Sequence, residues 1–484
     1  MIFHSLDFVV FFIAVTAVYW LLPQRGQNVL LFVAGYFFYG YVHPWFLILI
    51  ATSTVIDYCA ARGMEAWPAR RKGFLWLSIV TNFGMLGFFK YFNFFADNVQ
   101  SVLAAAGLHV DAPTLRILLP VGISFYTFQA MSYTIDVYRG ELRARTSLID
   151  LAVFISFFPH LVAGPIQRAS YLLPQVESGR RFSIDKAASG FVLICWGFFK
   201  KLVIADNVGV IANKVFALAD PTFYILWAGV FAFAIQIYAD FSAYTDIARG
   251  TSRWLGFELT ENFAHPYMAR SPADFWRRWN ISLSTWFRDY VYIPLGGSRG
   301  GSWLWARNVL VTFLLSGLWH GASWNYVLWG LYHGILLVLT RARAIVKPGA
   351  PRPWSSSWLV LLQVAGMFVL TCVGWLLFRE TELTAIARDL TLSPFGVPDL
   401  DRQAGLYLFL LALLYSMPLW AESLWVEMNR ATAGQGQEER DLEDVGMWQP
   451  WRLLVLQGVG CGIAFAAILV LRSRTSLDFI YFQF

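Results

Sequence analysis

The chain has 484 residues, of which 57% are apolar, 18% aromatic and only 14% charged, with a mean hydropathy of +0.53. Soluble proteins carry about a quarter of their residues as Asp, Glu, Lys or Arg, so an array of ordinary soluble domains is excluded, and 22 Trp with 42 Phe exclude disorder. The formal charge of +6 falls in short clusters between apolar runs, the pattern of cytoplasmic loops and not the gathered stripe that nucleic acid requires, so membrane lipid is an expected partner and nucleic acid is not.

Runs long enough to cross a hydrocarbon core, about 20 helical residues, recur almost from end to end. The first, 6–22, has no Lys or Arg ahead of it and no small-residue cleavage site after it, and is expected to be a span, not a removable signal. Further spans are predicted at 27–41, 44–61, 73–95, 116–138, 187–207, 221–243, 303–319, 323–341, 358–378, 404–425 and 451–471. No sizeable soluble domain fits between them, so 1–484 reads as one integral membrane domain with its core motifs in 150–340 and C-terminal helices in 358–471. The short polar stretch Thr432–Gln437 reads as a loop. Cys59, Cys195, Cys372 and Cys461 lack zinc or disulfide spacing and read as small buried apolar side chains.

Basic residues set the orientation. Arg62, Arg70, Arg71 and Lys72 follow the third span and Arg139, Arg143 and Arg145 the fifth, whereas 96–115 has neither Lys nor Arg. The first two loops are therefore cytoplasmic and the N-terminus external. The segment 151–167, with Phe158-Pro159-His160 and Gly164-Pro165, breaks the alternation because Arg168, Arg180, Arg181 and Lys186 also read as cytoplasmic; a re-entrant segment restores it. Arg341, Arg343, Lys347 and Arg352 then fall inside as well. The polar interval 244–302 still carries Trp254, Phe257, Phe263, Trp276, Trp279, Trp286 and Phe287, so it lies on or dips into the membrane from the cytoplasmic side.

Polar groups inside apolar runs are expensive, and each is by default a functional candidate. Gln236, Asp240 and Tyr244 recur at i, i+4 and i+8 and share one helical face, which either lines an aqueous path or pairs with cations on a neighbouring helix. Asp57, Asp136, Lys90 and the Lys200-Lys201 pair sit near span ends, where snorkelling accounts for the lysines. In Leu315-Ser316-Gly317-Leu318-Trp319-His320-Gly321-Ala322-Ser323-Trp324-Asn325 a histidine stands between glycines that permit close backbone approach or a helix break. Burial favours the neutral imidazole, which can accept a proton. His333, 13 residues on, would lie about 220° away around an unbroken helix, so the two histidines need not cooperate. Each has a plain alternative as a hydrogen-bonded structural residue.

That stretch, together with Phe275-Trp276-Arg277-Arg278-Trp279-Asn280-Ile281-Ser282-Leu283-Ser284-Thr285-Trp286-Phe287-Arg288-Asp289-Tyr290 and Tyr292-Ile293-Pro294-Leu295-Gly296-Gly297, resembles the membrane-bound O-acyltransferase (MBOAT) family, and within it the bacterial alginate O-acetyltransferase branch. The resemblance extends through Phe157–Arg168, Tyr238–Asp246 and the terminal Phe479-Ile480-Tyr481-Phe482-Gln483-Phe484. It implies an all-α polytopic fold of about 11 to 12 transmembrane helices with re-entrant segments around a central funnel. It also implies an O-acetyltransferase of the bacterial inner membrane that moves an acetyl group from a cytoplasmic thioester, such as acetyl-CoA, towards an exported polysaccharide, with no bound cofactor or metal and with a periplasmic SGNH-type partner. His320 falls on the family's catalytic histidine. Asn280 departs from the second histidine usual in this branch, and is expected to polarise the carbonyl or orient an acyl group. Trp319, Arg277, Trp279, Ser282, Arg288, Asp289 and Asp240 are the expected substrate-binding residues; Arg277, Arg278, Arg288 and Arg299 either hold donor phosphates or serve only as topology signals. The competing readings are a transporter or flippase, with the Gln236, Asp240, Tyr244 face as its path, and an inactive scaffold subunit of an export complex.

Overall fold

A computed structural model describes residues 1, 3–108, 119–162, 164–346, 358–432, 450–473, 475 and 477–480. Ala163, Lys347, Arg352, loop residues 433–437 and the terminal Tyr481–Phe484 lie outside them. Among the described residues every regular element is helical. Six helices there are long and apolar enough to cross a membrane: Phe46–Ala66, Pro68–Ala105, Ile184–Phe216, Phe223–Trp254, Trp358–Arg379 and Asp399–Asn429. The expected spans at 303–319 and 323–341 are also helices, Ser302–His320 and Trp324–Val346, but Asn308, Ser316, His320, Asn325 and His333 interrupt their apolar character. The helix Leu6–Tyr19, of 14 residues, is shorter than a full crossing, and Gln24–Gly40, of 17, sits at the lower bound of one.

The described residues form two compact units where the sequence reads as one domain: Met1–Ile194 with Tyr244–Thr260, and Cys195–Ala243 with Glu261–Phe484. In the first unit a buried polar network ties three helices. Asp57 on Phe46–Ala66 accepts from Ser78 Oγ at 2.5 Å and from Asn82 Nδ2 at 3.1 Å, both on Arg71–Leu86, and Ser78 Oγ lies 3.1 Å from Thr134 Oγ1 on Ile123–Arg139. Such bonds stand in for the hydrophobic drive that lipid cannot supply between helices. The segment expected to re-enter begins as a nine-residue helix, Leu148–Ser156, too short to cross, and continues as buried turns around His160. His160 Nε2 lies 2.9 Å from Gln129 Oε1, and Gln129 Nε2 donates to Phe154 O at 2.5 Å, so this histidine is held structurally.

In the second unit the helices Ser302–His320 and Trp324–Val346 cross closely. A Cβ on Gly317 would collide with Tyr326 O, and one on Gly330 with Phe313 O, so small residues set this contact. The helix Phe223–Trp254 runs 11 residues past the expected end at 243. Of the cysteines only Cys372 is buried; Cys59 is exposed and Cys195 and Cys461 are intermediate, which corrects the expectation of four buried thiols. An apolar thiol in a membrane protein satisfies itself as readily against lipid as inside the fold.

Candidate active site

His320 is the last residue of Ser302–His320, and Gly321 leaves the helix in an extended conformation, φ −163° and ψ 157°. A side chain at Gly321 would collide with the Tyr326 ring. The two flanking glycines thus do different work: Gly317 admits the next helix, and Gly321 lets the chain turn sharply after the histidine. The imidazole is 5% exposed, with Trp319, Trp329 and Phe378 ring centroids 5.0, 4.9 and 5.2 Å away. His333 packs 4.9 Å from the same Trp329. Because the helix breaks at Gly321, the angular separation expected of a continuous helix does not apply, and the two histidines share one indole.

Asn280 is 1% exposed and sits at φ 42°, one of two non-glycine residues with positive φ among those described, the other being His265. An asparagine preceding a helix usually caps it with its own side chain. Here the helix Ile281–Phe287 receives no such bond from Asn280. Asn262 supplies it: its Oδ1 accepts the Ser282 N–H at 3.1 Å and its carbonyl accepts the Ile281 N–H at 3.0 Å. The Asn280 amide is left with neither Nδ2 nor Oδ1 hydrogen-bonded among the described residues. A buried amide in a strained backbone with open donor and acceptor is costly unless something binds it.

Trp279, beside Asn280, is joined to His320 through rings: Trp279 to Trp375 at 4.8 Å, Trp375 to Trp329 at 6.4 Å, and Trp329 to His320 at 4.9 Å. Trp279 is 1% exposed and also packs on Phe263 and Phe275, at 5.0 and 5.6 Å, so it is a wall of the site. Trp319 is buried against the histidine, and Ser282 is buried as the second residue of the helix that Asn262 caps.

The remaining candidates are engaged by other partners. The Arg277 side chain is 73% exposed, 3.7 Å from Asp274. Arg288 is 59% exposed and donates from Nε to Asp289 Oδ1 at 2.8 Å. Arg278 is bound to Asp274 and to the buried Glu427; burial opposes its charge, but those bonds outweigh it and hold the guanidinium above its ordinary pKa. Asp240 is 1% exposed, its Oδ1 lies 3.0 Å from Lys201 Nζ, and its Oδ2 accepts the Ile480 N–H at 2.7 Å. Lys201 also pairs with Asp206 at 3.0 Å and donates to Leu477 O at 2.9 Å. The Gln236, Asp240, Tyr244 face is therefore split. Asp240 is taken up by this ion cluster, and the Tyr244 hydroxyl lies 3.1 Å from His4 Nδ1.

Sequence reading missed Asn262, Trp329 and Phe378. A polar residue beside aromatics, Asn262-Phe263, was the one local sign of the first. No group of three or more metal-ligating side chains occurs among the described residues.

Residues 73–347 match the MBOAT, membrane-bound O-acyltransferase family. The chain is 38% identical, over the whole of both sequences, to a "probable alginate O-acetylase" of Azotobacter vinelandii. It is 33% identical to a peptidoglycan O-acetyltransferase of Helicobacter pylori over 77% of this chain and 75% of that one. It is also 29% identical to a teichoic acid D-alanyltransferase of Bacillus subtilis over 55% of this chain and 70% of that one.

Proposed function

Because the chain belongs to the membrane-bound O-acyltransferase family, we propose that it moves acetyl groups from a cytoplasmic acyl thioester, such as acetyl-CoA, towards an exported polysaccharide, with His320 as the base. The observation that carries this reading is a histidine buried among Trp319, Trp329 and Phe378 at a helix break, in the same unit as a buried asparagine whose amide is unsatisfied. His320 takes the proton of an acceptor hydroxyl as that oxygen attacks the thioester carbonyl. The carbonyl oxygen becomes an oxyanion, to which Asn280 Nδ2 donates; a fixed donor in a water-poor site stabilises such charge more than water does. As the oxyanion collapses the C–S bond breaks, and the imidazolium returns its proton to the leaving thiolate.

Arg277 and Arg299 are the exposed cations of the 270–299 interval left for donor phosphates, Arg277 with only a long 3.7 Å contact to Asp274, since Arg278 is held by Glu427 and Asp274 and Arg288 by Asp289. Alginate or a similar polymer is the acceptor class suggested by the relatives, in the bacterial inner membrane, with a periplasmic SGNH-type transferase completing delivery. The transporter reading loses its path, since Asp240 is engaged by Lys201 and the Ile480 amide. Purified protein in detergent is incubated with labelled acetyl-CoA and an acceptor while free thiol is measured. Thiol release by wild type, lost in His320→Ala, is expected; equal release by both proteins removes His320 from the chemistry.

A further inference from the structure

An open groove of about 750 Å³, whose lining does not include His320, lies within the second unit between the helices Asp206–Phe216, Asp399–Thr432 and Pro450–Leu471. Its size falls in the range of small-molecule sites, roughly 300–1,000 Å³. The walls are largely apolar and include Val210, Ile211, Leu411 and Val470. Two cations, Lys214 and Arg472, line it together with the polar groups of Asn207, Tyr415 and Thr475, and no Asp or Glu does. Neither Lys214 nor Arg472 makes an ion pair among the described residues. Lys201, Arg278 and Arg388 in the same unit are, by contrast, each paired with carboxylates.

We propose that this groove is a binding site for an anionic glycerophospholipid, its phosphate held by Lys214 and Arg472 and its acyl chain lying along Val210, Leu411 and Val470. Charge complementarity selects the head group: two cations with no carboxylate between them favour a net anionic lipid over a zwitterionic one. The apolar walls select the rest of the molecule, because a hydrophilic anion such as a polysaccharide strand gains nothing from them and leaves its hydroxyls unsatisfied there. Arg472 directly follows Pro450–Leu471, and Asn207 Nδ2 donates to Leu471 O at 2.9 Å, so one rim of the groove is fixed in place by a protein bond. The inference rests on this groove alone and stands apart from the acyl-transfer reading.

The test uses the intact protein in nanodiscs of equal phosphatidylglycerol and phosphatidylethanolamine, followed by extraction into detergent and quantification of retained lipid. Wild type should retain phosphatidylglycerol in excess over phosphatidylethanolamine, and the Lys214→Gln, Arg472→Gln double variant should lose that excess by on the order of tenfold. Leu411→Trp, which fills the groove, should reduce retention of both lipids, and an unchanged elution profile identifies folded protein in each case. Equal retention of the two lipids by wild type, or a phosphatidylglycerol excess that survives the double variant, overturns the proposal. Displacement of the lipid by an anionic oligosaccharide that binds through the same two cations overturns it too.

Discussion

At Asn280 the backbone, the burial and the hydrogen bonding converge on one residue. Its left-handed φ of 42° is a conformation that asparagine tolerates better than most side chains, and Asn262 relieves it of capping. Asn280→Gly should therefore keep or raise the melting temperature, since glycine adopts that φ freely, while lowering acetyl transfer. The loss expected for one oxyanion donor is about 10²–10³-fold in kcat. Asn262→Ala should act differently, destabilising the helix Ile281–Phe287 by about 1 kcal/mol through loss of its cap, read as a lower melting temperature. If Asn280→Gly leaves transfer unchanged, the asparagine serves the backbone alone. The buried, helix-ending position of His320 was legible in the sequence because its glycines and tryptophans lie within five residues of it. Asn262 was not, because a cap supplied from 18 residues upstream has no local spacing to betray it.

The same contrast holds among the helices. Most apolar runs became helices close to their expected bounds, such as Trp358–Arg379 for 358–378, because length and hydropathy act locally. The extension of Phe223–Trp254 past 243 was not legible, since its added turns carry polar residues that satisfy themselves by packing, as Trp254 does by donating to Ala187 O at 2.8 Å. Where Gly317 and Gly330 bring two helices together, Gly317→Val should push them apart at a cost of about 1–3 kcal/mol, seen as a lower melting temperature with transfer lost. Asp240→Asn weakens the pairing of the buried Lys201 and should lower stability by up to about 3–5 kcal/mol. A substrate-binding role for Asp240 predicts instead an unchanged melting temperature with a raised KM.

For the molecule as a whole, the scarcity of charge did more than indicate lipid. Several of its buried polar groups are paired in place, as in the Asp57 network and the Lys201 cluster, whereas the Asn280 amide is buried with neither of its polar atoms hydrogen-bonded among the described residues. Family membership was legible from motifs spread along nearly the whole chain; the donor and the polymer were not, because the exposed cations of the 270–299 interval, such as Arg277 and Arg288, carry charge that suits many anionic groups and singles out none. On the proposed reading, His320 is the base of acyl transfer towards an exported polymer. The direct measurement is the acetyl content of that polymer from cells carrying wild type or His320→Ala at equal membrane levels, with polymer yield measured alongside. Acetyl content should fall by about 10²-fold or more, as expected for loss of a general base, while yield stays constant. Unchanged acetyl content, or a fall in yield with acetyl content preserved, would contradict the account.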